Sequence, residues 1–228
     1  MKVSVVIPVY NEEKLIKNCL DSLIMQDVKA DEIIIVDNNC TDNTINIVRK
    51  YSNIRIIKEK KQGMIPSRNT GFNNAKYEII AKCDADTVLP VDWIKNIKYN
   101  FSRDVSIVGI SMPIRLSEIP LIDQSIVFFY IYLFIPRLMI GFYPFLGPSY
   151  AIRKTIWNKI KNIICTDEKK VHEDIDLCLH IKKYGKIYHD GKTIVDSSAR
   201  RIINNPLSFF GEYNIRFFKM LYTHRHLA

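Results

Sequence analysis

Short apolar runs alternate with amphipathic stretches through the first hundred residues. Strands are predicted at 2–10, 32–37 and 54–57, because each is a compact run rich in β-branched residues. Between the first two, apolar side chains recur at helical spacing over 11–25, and Asn11 is expected to cap that helix. This alternation with short connections predicts an α/β fold in which helices flank a mostly parallel sheet.

Beyond residue 60 the pattern becomes less regular. Two glycines and a proline predict a loop over 62–71, followed by a short helix over 72–76. A further helix is expected from 173 to about 184. Two short strands, 186–188 and 193–195, are expected on either side of a tight turn.

The longest apolar stretch lies at 121–146. Its uncharged ten-residue core ends at Pro136 and Arg137, and a spanning helix needs about 20 apolar residues, so no transmembrane span is predicted. We expect a pair of amphipathic or interfacial helices, the alternative being a buried helix packed on the sheet. Its aromatic residues favour contact with a membrane or a lipid tail. The aromatic and basic tail, 207–228, is expected to form an amphipathic helix at a membrane surface or against another subunit.

Composition narrows the class of protein. A chain of 228 residues that is 47% hydrophobic and 25% charged predicts one folded domain rather than disorder. Five scattered cysteines argue against a disulfide framework or a structural zinc site, and they favour a reducing, cytoplasmic compartment. No signal peptide is expected, because Met1 leads directly into an apolar strand.

The charge is uneven along the chain. Residues 151–228 hold 15 Lys and Arg against 8 Asp and Glu, within a net charge of +9 for the whole chain. This excess favours anionic partners, which include phosphates, nucleic acid and an acidic membrane surface. The alternative is that the basic residues only maintain solubility.

Candidate chemistry begins with Asp84 and Asp86, which follow an apolar run. Residues two apart in a strand point to the same side, so both carboxylates are expected to project from the carboxyl end of a buried strand. A hard divalent cation would bind such oxygens together with substrate phosphates. An isolated Asp-x-Asp is more often a solvated loop. Neither G-x-G-x-x-G after the first strand nor a P-loop motif occurs, which disfavours a dehydrogenase and a P-loop NTPase.

Other polar or turn residues are predicted at the same edge of the sheet. Pro8 and Tyr10 end the first strand and Asp37 ends the second. Ligands of parallel sheets bind beyond the carboxyl ends of the strands. Arg68 is expected near a helix start, where it would meet an anion or pair with Asp84 or Asp37.

Four segments, in this order, resemble the motifs of family 2 glycosyltransferases. They are Val3–Glu12, Ile35–Asp42, Arg68–Gly71 and Asp84–Asp86. The resemblance is close over 2–90 and loose to about 200. It implies a single GT-A domain, 1–228, with a Rossmann-like sheet, a nucleotide-sugar-binding half at 1–100 and a smaller acceptor-binding half at 101–228. It also implies that a glycosyl group is transferred from a nucleotide diphosphosugar with inversion.

The resemblance also implies roles for single residues. The nucleotide-sugar pocket would be formed by Pro8, Tyr10, Glu12, Asp37, Asn39, Arg68 and Asp84. Asp86, assisted by Asp84, would hold the Mn or Mg ion. Asn39 stands where many relatives have glycine, and asparagine tolerates left-handed dihedral angles. Asn38 lacks the second charge of those relatives, which leaves the preferred base open.

Acceptor-side residues are expected in the carboxyl half. Gly147 begins a stretch similar to the acceptor-side segment of the family. Glu173 and Asp174 are similar to its base-bearing motif, and a helix start favours ionised carboxylates. We predict Asp174 as the general base and Glu173 as the second candidate, the alternative being helix-start acids without chemistry. Arg200 and Arg201 are candidates to bind the diphosphate or an acceptor phosphate, unless they form a solvated pair.

The sequence therefore predicts a metal-dependent glycosyltransferase acting on a glycan or a polyprenyl-phosphate-type acceptor. We consider peripheral contact with the inner face of the membrane and a homodimer as further expectations, and we disfavour nucleic acid as a partner. The alternative from another class is a non-catalytic module that binds nucleotides or nucleic acid through its basic half. A sugar nucleotidyltransferase is disfavoured, because its glycine-rich first loop is missing at 8–12.

Overall fold

The computed structural model describes residues 1–118, 122–205, 211 and 213–223. Its strands are β1 Val3–Val9, β2 Glu32–Asp37, β3 Ile54–Lys58, β4 Ile79–Cys83, β5 Thr87–Val88, β6 Ile107–Ser111, β7 Ile114–Leu116, β8 Ser149–Arg153, β9 Lys186–His189 and β10 Val195–Ser197. Its helices are α1 Ile16–Ile24, α2 Thr44–Val48, α3 Met64–Asn74, α4 Trp93–Arg103, α5 Ile122–Ile140, α6 Lys154–Ile160, α7 Glu173–Lys182, α8 Arg200–Asn204 and α9 Tyr213–Thr223. The alternation up to β4 is the predicted one.

A seven-stranded sheet forms the centre of the fold, in the order β3-β2-β1-β4-β8-β6-β9. Strand β8 runs antiparallel to β4 and β6, and the other neighbours are parallel. Val9 pairs with Asp37, so β1 and β2 end at the same edge, and the parallel strand β4 ends there as well. The predicted mostly parallel α/β sheet is confirmed. A smaller sheet has the order β5-β10-β7.

Apolar side chains cover both faces of the large sheet. Val5 of β1 belongs to a core that includes Leu20 of α1 and residues of α4. Its neighbour Val6 belongs to a second core, with Phe72 of α3 and Trp157 of α6. Successive strand residues point to opposite faces, so a strand with helices on both sides is apolar throughout.

Gly71 allows α3 to lie directly against β1. A Cβ atom at Gly71 would lie 2.2 Å from Val6 Cγ1 and 3.0 Å from Val36 Cγ2. We expect Gly71→Ala to lower the free energy of unfolding by about 1–3 kcal/mol, because the added methyl group overpacks this contact. Denaturant unfolding followed by circular dichroism measures the loss. Asn74→Ala, at the exposed end of α3, is the control, with an expected change within about 0.5 kcal/mol. Equal losses in both variants would contradict this packing.

The predicted start of the first helix is wrong. Asn11 has φ 54°, and α1 begins only at Ile16. The Asn11 side chain accepts a hydrogen bond from Thr41 N at 2.8 Å. Asn11 therefore connects the loop after β1 to the loop after β2 and does not cap a helix.

The predicted loop over 62–71 is also wrong, because α3 begins at Met64. Pro66 lies in its first turn, where a missing N–H costs no helical hydrogen bond. Gly63, with φ 140°, precedes the helix. The glycines and the proline thus mark the start of a helix and a close helix–strand contact rather than a loop.

The apolar stretch forms one helix rather than the predicted pair, because α5 continues through Pro136. Phe129 and Leu133 are buried, whereas Ile131 and Leu138 are 68% and 75% exposed. The helix therefore packs along one side only. No described helix combines the length and the apolar content that crossing a bilayer requires. Leu121 lies outside the described residues, as does part of the predicted tail helix, whose described part is α9.

The two short strands near the carboxyl end do not form the predicted hairpin. Strand β9 pairs with β6 in the large sheet, and β10 pairs with β5 and β7 in the small sheet. Long-range partners on two different sheets replace the local pairing. This path brings the segment after β10 beside the β4–β5 turn.

Candidate active site

A cleft opens at the edge of the large sheet where β1 and β4 end. The predicted site residues that line it are Pro8, Tyr10, Glu12, Arg68, Asp84, Asp86, Glu173 and Arg200. The predicted residues that do not line it are Asp37, Asn39, Gly147 and Asp174. The side chain of Arg201 lies outside the described residues. One cleft thus collects residues from both ends of the chain.

Asp84 and Asp86 lie in the turn between β4 and β5, not in an extended strand. The carbonyl of Asp84 accepts a hydrogen bond from Thr87 N at 3.2 Å, which closes this turn. The expectation that both carboxylates point to the same side because they alternate along a strand is therefore wrong. The turn nevertheless directs both side chains into the cleft, where Asp86 is the more buried.

Lys82 is a buried cation that lines the cleft. Its Nζ donates hydrogen bonds to Asp84 Oδ1 at 2.6 Å and to the carbonyl of Gly147 at 2.5 Å. Burial alone would lower the pKa of Lys82, but the nearby carboxylates of Asp84, Asp174 and Glu173 outweigh it and raise the pKa above its ordinary value. Lys82 therefore stays charged and holds Asp84 beside the Gly147 turn.

Glu173 and Asp174 lie in the first turn of α7, as predicted, and both side chains are largely buried. Burial raises the pKa of Glu173 to about 7, and the charge of Asp174 adds to this rise. Asp174 Oδ1 accepts no hydrogen bond from any described residue. A Cβ atom at Gly147 would lie 3.1 Å from Asp84 Oδ2 and 3.5 Å from Asp174 Oδ2. These two carboxylates therefore face each other across a glycine.

Arg68 connects α3 to the start of α7. Its Nε and Nη2 donate to Asn69 Oδ1 at 3.1 and 3.0 Å. Its Nη1 donates to the carbonyl of Glu173 at 3.3 Å and lies 4.0 Å from Glu173 Oε2. Arg68 does not pair with Asp84 or Asp37, which was the expected alternative. The buried guanidinium still lines the cleft, where it adds positive charge.

The loop after β2 supports the neighbouring wall of the cleft. Asp37 Oδ1 accepts a hydrogen bond at 2.9 Å from the backbone N–H three residues later, at Cys40. Asn38 Oδ1 accepts a hydrogen bond from Gly63 N at 2.9 Å. Asn39 has φ 67°, the left-handed conformation expected for this position. These residues fix the approach to α3, and Asp37 stands beside the cleft rather than in it.

Arg200 reaches the cleft from the carboxyl end of the chain. Its Nη2 donates to Glu12 Oε1 and lies 3.1 Å from Asp86 Oδ2. Glu12 Oε2 is buried and accepts no hydrogen bond from any described residue. One guanidinium therefore bridges two carboxylates that come from different loops.

Residues 4–165 match the family model described as Glycosyl transferase family 2, which covers well over half of the chain. The chain belongs to glycosyl transferase family 2. The predicted family is confirmed.

Two relatives show how the chain compares with longer members of glycosyl transferase family 2. The poly(ribitol-phosphate) beta-glucosyltransferase of Bacillus spizizenii is 38% identical over 112 residues, which are 46% of this chain and 18% of the relative. The dolichyl N-acetyl-alpha-D-glucosaminyl phosphate 3-beta-D-2,3-diacetamido-2,3-dideoxy-beta-D-glucuronosyltransferase of Methanococcus voltae is 30% identical over 109 residues, 44% of this chain and 34% of the relative. The chain spans about a third or less of the length of these relatives.

A solved structure shows the shared fold. The mannosyltransferase PcManGT from Pyrobaculum calidifontis, in complex with GDP-Man and Mn²⁺, superposes with a TM-score of 0.69 at 23% identity. The match covers 87% of this chain and 57% of that chain. The predicted GT-A fold of this family 2 glycosyltransferase is confirmed.

The cleft fits a divalent cation through few protein ligands. Across the described ranges, no group of three or more His, Cys, Asp or Glu is arranged to hold a metal ion. Asp84 and Asp86 nevertheless offer hard carboxylate oxygens in the same cleft, and Asp86 already lies against the positive charge of Arg200. Glu12 accepts a hydrogen bond from the same Arg200, and its other oxygen is buried with no hydrogen-bond donor among the described residues. A cation here would complete its coordination with phosphate oxygens and water.

The sequence interpretation missed cleft residues of two kinds. Lys82 stands two residues before Asp84, so its spacing along β4 could have revealed it. Glu168 gives no such local signal. Its Oε1 accepts a hydrogen bond from Ile65 N at 2.7 Å, at the start of α3 and more than a hundred residues away in sequence. Only the folded chain shows this contact.

Proposed function

We propose that this chain transfers a glycosyl group from a nucleotide diphosphosugar to an acceptor, with inversion and with a divalent cation. The observation that carries the proposal is that a carboxylate lining the cleft lies close to a carboxylate at the start of α7. Asp84 and Asp174 both lie within 3.5 Å of the Cβ position at Gly147. Asp84 belongs to the turn proposed to bind the donor, and Asp174 belongs to the helix proposed to activate the acceptor. The reacting groups would then meet between them.

The donor is proposed to lie along the carboxyl edge of β1. Pro8, Tyr10 and Glu12 line this side of the cleft, and Tyr10 is 52% exposed and free to contact a base or ribose. Arg68 and Lys82 line the same cleft and would supply positive charge to the anionic diphosphate. Asp86 and Asp84 would hold a divalent cation, which would supply positive charge to the departing diphosphate. PcManGT, which shares this fold, was solved with GDP-Man and Mn²⁺.

The proposed step at a hydroxyl acceptor is a single displacement. Asp174 accepts the hydroxyl proton while the acceptor oxygen forms a bond to the anomeric carbon of the sugar. The bond from that carbon to the diphosphate oxygen breaks, and the nucleoside diphosphate leaves from the opposite face. The Oδ1 atom of Asp174 supports this role, because it accepts no hydrogen bond from any described residue. Glu173 remains the second candidate for the base.

The acceptor is proposed to be a glycan or a polyprenyl-phosphate-type lipid, bound mainly by residues 101–228. The two relatives carry names that specify a poly(ribitol-phosphate) and a dolichyl-linked acceptor. The open side of α5 supports a lipid-linked acceptor at a membrane surface. Val127, Ile131, Phe134 and Leu138 are all more than half exposed and share one helix face. Arg137, in the last turn of this helix, is basic and suits anionic lipids.

A donor screen tests the proposed function. The chain is incubated with UDP-glucose, UDP-N-acetylglucosamine and GDP-mannose, each with Mn²⁺, with Mg²⁺ or with EDTA, and released UDP or GDP is measured. We expect hydrolysis of one donor that requires the cation. Binding of nucleotides without hydrolysis of any donor would favour the non-catalytic binding module. Flotation with liposomes of anionic and of neutral lipid tests the proposed membrane contact in parallel.

A further inference from the structure

Arg200 is held in place by contacts far from the site that it reaches. It opens α8, directly after Ser198 and Ala199. Glu118 accepts hydrogen bonds from Ser198 Oγ at 2.6 Å and from Ala199 N. The pairing of β10 with β5 brings this segment beside the β4–β5 turn. The position of Arg200 is therefore fixed by the fold and not only by its own flexible side chain.

The two carboxylates bound by Arg200 need a positive charge. The side chains of Glu12 and Asp86 are 14% and 9% exposed, and both contact the same Nη2 atom. Two largely buried carboxylates that share one site repel each other and lose hydration. Both effects are unfavourable, and a cation between the carboxylates offsets them. Arg200 supplies that cation from within the chain. It therefore lies against the carboxylate that the proposed function gives to the divalent cation.

We propose that Arg200 is the cation of the Glu12–Asp86 pair when no donor is bound, and that a divalent cation binds tightly only together with the donor diphosphate. This inference rests on the proposed function. With the guanidinium on Asp86, an incoming divalent ion meets a positive charge. A diphosphate offers the guanidinium an anionic partner that it can bind through two nitrogen atoms, so Arg200 moves from Asp86 to the phosphate oxygens. Arg200 thus couples the binding of cation and donor, and such coupling acts equally in both directions.

Titrations of Mn²⁺ test this coupling without any measurement of turnover. Mn²⁺ binding is followed by calorimetry for the wild type and for Arg200→Gln, in buffer and with saturating UDP or GDP, after subtraction of binding to the free nucleotide. Without nucleotide, we expect Arg200→Gln to bind Mn²⁺ about tenfold more tightly than the wild type, because the competing charge is gone. Nucleotide is expected to increase the affinity for Mn²⁺ in the wild type. We expect this increase to be about tenfold smaller in Arg200→Gln.

Arg115→Gln is the matched control. Arg115 forms an ion pair with Asp196 of β10 and does not line the cleft. This variant loses one arginine and one ion pair near the same strand, so we expect wild-type Mn²⁺ binding with and without nucleotide.

Arg200→Lys keeps a positive charge but not the bidentate geometry. We expect it to resemble the wild type with Mn²⁺ alone and to lose coupling with the nucleotide.

Two results would overturn the inference. One is an unchanged affinity of Arg200→Gln for Mn²⁺ alone, with thermal unfolding showing a folded variant. The other is an equal affinity of the wild type for Mn²⁺ with and without nucleotide. This measurement does not depend on whether the variant folds. Failure of the proposed function is distinguishable, because absent donor turnover with intact coupling would refute the transferase and leave the role of Arg200 standing.

Discussion

Asp174→Asn is expected to lower turnover with a hydroxyl acceptor by about 10²- to 10⁴-fold, the range that a positioned general base contributes. The amide keeps the size of the side chain but cannot accept the hydroxyl proton. Asp174 Oδ1 has no hydrogen-bond donor among the described residues, so the substitution breaks no described bond at that atom. Steady-state kinetics should therefore show a loss in kcat, while calorimetry should show donor binding close to that of the wild type.

Glu173→Gln is the matched variant for this experiment, because Glu173 is the preceding residue and lines the same cleft. We expect a smaller loss, since the main contact of Glu173 with Arg68 includes its backbone carbonyl, which the substitution retains. A large loss in Glu173→Gln with a small loss in Asp174→Asn would exchange the two roles. If the acceptor is a polyprenyl phosphate, its oxygen is already a nucleophile, and Asp174→Asn should then spare much of the activity.

Asp86→Ala is expected to remove the cation-dependent part of donor binding, a loss of about 100-fold or more, as expected when a metal site loses a carboxylate ligand. The substitution removes a carboxylate oxygen from the proposed cation site. It also removes the contact of Arg200 with Asp86 and keeps the contact with Glu12. Calorimetric titration of UDP or GDP in the presence of Mn²⁺ and in EDTA separates the cation-dependent part from the rest. In EDTA, we expect the variant and the wild type to bind the nucleotide with similar affinity.

Asp196→Asn provides the control for Asp86→Ala. Asp196 lies in β10, pairs with Arg115 and does not line the cleft. The Asp196→Asn substitution removes one carboxylate charge from the strand beside the β4–β5 turn. A general electrostatic effect on an anionic donor would therefore appear in both Asp196→Asn and Asp86→Ala. Cation-dependent binding that is unchanged in Asp86→Ala would refute the metal role of Asp86, whatever the control shows.

The residues of the site were predictable to different degrees. Pro8, Tyr10 and Asp84 were found from their positions after apolar strands, because the carboxyl ends of parallel strands share one edge. The side chains of Asp84 and Asp86 point into the cleft as predicted, but the predicted reason was wrong. A closed turn sets their direction, not the alternation of a strand. The partner of Arg68 was missed, because the start of α7 lies 105 residues away along the chain.

The errors in secondary structure have a common physical cause. Asn11, Gly71 and the strand 193–195 were interpreted from local preferences. Asn11 binds the neighbouring loop, Gly71 permits contact between α3 and β1, and β10 pairs with strands of another sheet. In each case a long-range contact outweighs the local preference.

By itself, the sequence determined the alternation of strands and helices, the edge at which the site forms and the family to which the chain belongs. These follow from short-range spacing, since buried strands and helices each impose a periodicity on neighbouring residues. The tertiary structure alone decided that Arg200 meets Glu12, 188 residues earlier, and that Asp174 faces Asp84 across Gly147. Such contacts depend on the order in which strands join the two sheets, and no local pattern of residues encodes that order.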